Sequence, residues 1–226
     1  MSMPMYVPPA QLFQDRADYA RKGIARGRSV VVLEFELGVL LMGRNPSGSL
    51  HKIAEVYDRI AFAGVGRFNE FETLRVAGIR YADLKGYSYG RTDVTAKGLA
   101  NAYAQTLGQI FTHEVKPYEI EVMVAEIGDE PGDTRLYRIQ FDGTLADVTG
   151  FGAMGGEEED LQAALEERYE SGLGLPAALD LAASALEAVE ERPIEAEGWE
   201  AAVLDRTISR RTFRRLPASE ITAARS

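Results

Sequence analysis

Residues Gly150-Phe151-Gly152-Ala153-Met154-Gly155 carry the GxGxxG spacing that lets a backbone close on a pyrophosphate at a helix N-terminus. The turn that would hold that phosphate is filled by Glu157, Glu158, Glu159 and Asp160, which repel an anion, and no βαβ unit surrounds it. The glycines therefore read as a tight turn with close helix packing. His51 and His113 stand far apart, and neither has a partner at metal-ligand spacing. The absence of cysteine removes a thiol nucleophile, thiolate-ligated zinc and disulfides. No nucleophile elbow is expected, and the many carboxylates fall on amphipathic segments as solvated faces. No catalytic constellation emerges from the residues alone, and neither a cofactor nor a metal is expected.

The elements that would position these residues follow from apolar spacing. Ala10 to Arg26, with Leu12, Phe13, Ala17, Ala20 and Ile24 on one face, predicts a helix behind Pro8 and Pro9. Ser29 to Phe35 and Val39 to Gly43 predict a buried hairpin, and Lys52 to Val56 with Arg59 to Ala63 a second strand pair. Two long helices are predicted over Arg67 to Lys85 and Thr92 to His113, the latter capped by Asp93 or Thr92. Strands return at Tyr118 to Ile127, Thr134 to Phe141 and Thr144 to Gly150, the last two joined at Asp142-Gly143. Helices over Glu157 to Ser171 and Ala177 to Glu191 precede strands at Trp199 to Asp205 and Thr212 to Leu216. Hairpins and helix pairs in this order predict an α+β chain. Two antiparallel sheets face to face, with a helix pair on each outer face, make a four-layer αββα sandwich.

At 226 residues, 46% hydrophobic and 27% charged, the chain is long enough for a substantial core and is expected to hold one domain. No run approaches the roughly 18 apolar residues of a membrane span, and Met1 to Pro9 lacks the features of a signal peptide, so a cytoplasmic protein without membrane partners is expected. A net charge of -10 argues against nucleic-acid binding. The acid concentrates between Glu157 and Glu200, whereas Arg206, Arg210, Arg211, Arg214 and Arg215 make the tail basic. Solvated faces are the ordinary reading, and contacts between subunits the sharper one.

Three strings carry a resemblance: Tyr19-Ala20-Arg21-Lys22-Gly23-Ile24-Ala25-Arg26; Ser49-Leu50-His51-Lys52-Ile53 with Val56-Tyr57-Asp58-Arg59; and Asn101-Ala102-Tyr103-Ala104-Gln105-Thr106-Leu107. On them the chain resembles proteasome core particle α subunits from about Tyr6 to Leu216, most of all the actinobacterial type. That form has a similar opening segment and lacks the Tyr-Asp-Arg gate signature of archaeal and eukaryotic α subunits. The resemblance implies the Ntn-hydrolase αββα fold, already expected from the element order, and a non-catalytic ring subunit. In that family seven α subunits cap a ring of β subunits, whose N-terminal threonine uses its own amine as base.

The resemblance also implies residue roles. Met1, Ser2, Met3, Pro4, Met5, Tyr6, Val7, Pro8 and Pro9 would form a mobile gate segment over the substrate pore, residues 10–216 one domain, and 217–226 a C-terminal tail. Lys52 matches a pocket lysine between adjacent subunits that receives the terminal carboxylate of a ring ATPase. Arg21 matches a second basic position, and Gly64 and Val65 the backbone lining. The implied partners are further copies in a heptameric ring, β subunits, an AAA ATPase ring and unfolded protein in transit. The alternative is an active hydrolase of the same fold or a β-type protease subunit. Against it, a first strand opening at Ser29 offers no threonine that cleavage there could expose.

Overall fold

The computed structural model describes residues 8–225. The first helix, α1 (Pro9–Ala25), starts on Pro9, whose missing N–H costs nothing in a first turn, and the Pro8 carbonyl accepts from the Leu12 N–H at 3.1 Å. β1 (Val30–Phe35) and β2 (Gly38–Arg44) form the expected hairpin, followed by β3 (Ile53–Tyr57) and β4 (Ile60–Gly66). The helix pair α2 (Phe68–Ser88) and α3 (Ala96–His113) comes next, then β5 (Ile120–Glu126), β6 (Arg135–Ile139), β7 (Leu145–Val148) and β8 (Phe151–Met154). The second pair is α4 (Glu158–Arg168) and α5 (Leu175–Glu190), and β9 (Trp199–Asp205), β10 (Phe213–Arg215) and α6 (Ala218–Ala224) close the order.

The strands make two five-stranded sheets, ordered β10-β9-β2-β1-β8 and β3-β4-β5-β6-β7, antiparallel throughout. Period-two alternation divides their side chains between three cores. Val30 and Val32 of β1 face inward with Ala61, Ala63, Met123 and Leu204 between the sheets. Val31 and Leu33 face outward against Leu161, Leu165, Leu179 and Leu186 of α4 and α5. Phe62, Val122 and Ile139 of the other sheet face Phe71, Leu74, Leu99 and Leu107 of α2 and α3. The four layers are thus present, and α1 seals one end by adding Ala20 and Ile24 to the cluster between the sheets.

Three details depart from the sequence reading. Phe151 to Met154, read as a glycine turn, is a strand paired with β1 from Val30↔Met154 to Leu33↔Phe151. Gly152 permits this because a Cβ there would stand 2.7 Å from Met123 Cε of the facing sheet. The cap of α3 is Thr95, whose Oγ1 accepts from the Gly98 N–H at 3.2 Å, and Asp93 and Thr92 instead lie in a preceding 3-10 turn. Residues 217–226, expected as a tail, contain α6, which buries Ile221 against α5 and ties Arg225 to Glu187 at 2.5 Å. Among the described residues no helix is long and apolar enough to cross a membrane.

Candidate functional site

The sequence-predicted residues sit at and beside the end of the sandwich that α1 covers. Lys52 immediately precedes β3, at the edge of its sheet. Its carbonyl accepts from the Gly64 N–H at 3.0 Å, and its half-buried side chain donates from Nζ to the Arg28 carbonyl at 2.6 Å. Burial, then the Arg28 guanidinium, lowers the Lys52 pKa from 10.5 to about 8, against the opposing pull of Glu200 and Glu190. No carboxylate pairs with this ammonium among the described residues. An amine without a counter-ion at the mouth of a buried edge is suited to receive an anion.

Gly64 and Val65 lie in β4 beside it, but neither presents an open lining within the chain. The Gly64 N–H is already committed to Lys52, and the Val65 side chain is fully buried between the sheets. Arg21 is not brought to Lys52 within the chain. It is exposed on α1, 3.3 Å from Asp18 and 5.6 Å from the Phe141 ring centre, and lines a cavity of about 500 Å³ with Arg138, Glu121 and residues 155–160. A smaller cavity of about 300 Å³, lined by residues 25–29 and Glu190, shares Ala25, Gly156 and Glu157 with the first. Arg28 belongs to that smaller cavity and its carbonyl accepts from the Lys52 ammonium, whereas Arg21 lines the larger one. Met1 to Val7 of the expected gate lie outside the described residues, while Pro8 and Pro9 open α1.

Other strings are accounted for structurally. Gly155 has φ of 122°, and a Cβ there would meet Ser29 Cα at 2.8 Å, so the GxGxxG string supports chain packing. His113 bonds the Gln109 carbonyl on its own helix at 3.1 Å, and His51 Nδ1 stands 3.3 Å from a Glu200 oxygen. Gly86-Tyr87-Ser88-Tyr89-Gly90 does spell GxSxG, a match the sequence reading passes over. A nucleophile elbow needs a strand-to-helix turn, and Ser88 instead ends α2, exposed to solvent. Among the described residues no group of three or more His, Asp or Glu is arranged to hold a metal.

Two buried ionic groups were not foreseen. Arg138 joins Glu121 and Glu158 at the floor of the larger cavity, where burial holds the Glu121 carboxyl above its ordinary range against the pull of Arg138. Glu200 lies on β9 with 7% of its surface exposed, beneath the start of β3. Its signal is present in the sequence: in Trp199 to Asp205 it shares the inward parity of Ala202 and Leu204, an unusual place for an acid.

Residues 24–204 match the family model described as Proteasome subunit. A Thermomonospora curvata protein named Proteasome subunit alpha is 58% identical over 222 residues, 98% of this chain and 96% of that protein. One of the same name from Xylanimonas cellulosilytica is 57% identical over 235 residues, 100% of this chain and 96% of its own. A third, from Pseudarthrobacter chlorophenolicus, is 52% identical over 233 residues, 99% of each chain.

Proposed function

The chain belongs to the proteasome subunit family, and from that premise we propose that it is a non-catalytic α-type subunit of a proteasome core particle. It builds a ring with further copies of itself, the ring caps a ring of β subunits, and the segment before α1 narrows the axial pore through which unfolded protein passes. Lys52 receives the terminal carboxylate of a ring ATPase between neighbouring subunits, with Arg21 of the adjoining copy as a second cation.

The observation that carries the non-catalytic reading is α1. Threonine chemistry in this fold needs a free α-amine at the head of the first strand, because that amine is the base for the adjacent hydroxyl. Here β1 follows Ser29, joined by peptide bonds to a 17-residue helix whose Ala20 and Ile24 are part of the core between the sheets. Removing α1 to free an amine would open that core. The docking reading is supported by Lys52, an unpaired, half-buried cation at a sheet edge.

The test is hydrolysis of short fluorogenic peptides by the purified chain, by co-expressed β subunits and by the two together. Activity is expected only where β subunits are present. Turnover by this chain alone that tracks it through further purification and is blocked by a threonine-directed inhibitor would reject the assignment.

A further inference from the structure

The groups around Lys52 are organised by one buried acid from the opposite sheet. β3 is an edge strand, so its outward N–H and C=O groups have no strand to pair with, and leaving them unsatisfied beneath a loop is costly. Glu200 on β9 supplies the partners. One carboxylate oxygen accepts from the Lys52 N–H at 3.0 Å and Asn45 Nδ2 at 2.6 Å. The other accepts from the Ile53 N–H at 3.2 Å and the Arg215 guanidinium at 3.1 Å, with His51 Nδ1 at 3.3 Å. A carboxylate offers about four lone-pair sites, and this one fills them. Arg215 uses a second nitrogen to reach the Ile53 carbonyl at 2.7 Å, and Asn45 also donates to the Leu50 carbonyl at 2.6 Å, which closes the 45–52 loop over the acid.

We propose that Glu200 is the positioning residue of the Lys52 site: its carboxylate fixes the main chain from which the lysine projects and sets a negative charge behind the ammonium. This rests on the reading of Lys52 as the docking cation. Lys52 is gripped at three points, its N–H by Glu200, its carbonyl by Gly64 and its Nζ by the Arg28 carbonyl, and only the first comes from the other sheet. The charges that face it are Arg28 and Arg44, which oppose its protonation, and Glu200 and Glu190, which favour it. Glu190 is already paired with Arg44 at 2.7 Å, whereas Glu200 bonds the lysine residue itself. A merely structural acid would keep the loop in place. A positioning acid also keeps the amine charged.

The experiment is competitive acylation of the assembled α and β particle with acetic anhydride from neutral to alkaline pH, reading the Lys52 peptide by mass spectrometry. In Glu200→Gln the midpoint of Lys52 labelling is expected to fall by about one pH unit, because an opposite charge that favoured the ammonium is gone, and Glu200→Asp should restore part of it. General loosening would instead hydrate the amine and raise the midpoint. An unchanged or raised midpoint in Glu200→Gln overturns the proposal. Should that variant fail to fold, Glu200→Asp decides by the same labelling: a lowered Lys52 midpoint supports the proposal, and a wild-type or raised one overturns it.

The docking reading is tested apart, with a peptide copying the C-terminal tail of an ATPase that stimulates the particle. Lys52→Ala is expected to weaken its binding by about ten- to a hundredfold, the cost of a lost charge-assisted bond, and Glu200→Gln by about tenfold. Equal binding by wild type and Lys52→Ala defeats the docking reading, while the labelling midpoint still rules on Glu200. Weakened binding in Lys52→Ala with wild-type binding and labelling in Glu200→Gln overturns the positioning role alone.

Discussion

Lys52 is held in its protonated form at a cost to the fold. Its pKa of about 8 in the folded chain lies below the ordinary 10.5. The group therefore contributes stability above the unfolded value and loses it as pH falls through the folded one. At neutral pH the protonated amine disfavours folding by up to about 3 kcal/mol, and less where solvent reaches it. Lys52→Met is accordingly expected to stabilise the chain by about 1–2 kcal/mol at neutral pH, with the gain vanishing as the pH approaches 10.5. Denaturant titrations of both proteins at neutral and alkaline pH measure it, and equal midpoints at neutral pH would show an amine that is not desolvated. A substitution that stabilises while weakening docking marks a residue kept for function. Lys52 was legible because its neighbours form a recognisable string. Glu200 was not, since it ends a long acidic stretch, and only the parity of a correctly registered strand separates it from the solvated acids before it.

At the scale of elements, the contact between α2 and α3 turns on one absent methyl group. A Cβ on Gly78 would stand 1.8 Å from the Tyr103 hydroxyl oxygen and 2.7 Å from its Cζ. Tyr103 is 3% exposed, its hydroxyl has no hydrogen-bond partner, and burial pushes its pKa up. Gly78→Ala gains about 1 kcal/mol in helix propensity but forces the helices apart, so a net loss of about 1–3 kcal/mol is expected. Tyr103→Phe should be neutral or mildly stabilising, because an unpaired buried hydroxyl is removed, and should recover part of the loss in the double variant. Thermal unfolding of the four proteins closes this cycle, and additive effects would remove the clash as the cause.

Element order and both helix pairs were readable because apolar period changes cleanly between 2 and 3.6 along the chain. β8 was not, as Gly152 serves the approach of two sheets and, with Gly150 and Gly155 flanking the strand, resembles a turn locally. Nor was α6, seven residues long and anchored by Ile221 and an ion pair to α5 that no local pattern announces.

For the molecule as a whole, the acids of residues 157–200 and the basic tail meet only in part, as at Glu187 and Glu200, and other tail arginines pair elsewhere in the chain. Arg225 pairs with Glu187, Arg215 with Glu200, and Arg211 with Glu55. These charges are thus partly spent on the chain's own closure, and apolar surface remains for neighbours. Leu84, Tyr87 and Tyr89, at the end of α2, are 69%, 92% and 80% exposed, and Leu12 and Phe13 of α1 are also open. A ring member must present different patches to its neighbours, and grouped exposed aromatics mark such contacts. Replacing Tyr87 and Tyr89 by serine is expected to leave the unfolding midpoint within about 0.5 kcal/mol while reducing assembly with β subunits. Sedimentation at fixed concentration reads the effect, and full assembly would place the contact elsewhere. The closed outer side of β3 carries a different consequence. An extended polypeptide adds to a protein by laddering onto free N–H and C=O groups at a sheet margin. At the start of β3 the Lys52 N–H and both Ile53 main-chain groups are already occupied by Glu200 and Arg215, so this stretch of the margin offers an extended polypeptide no ladder to join.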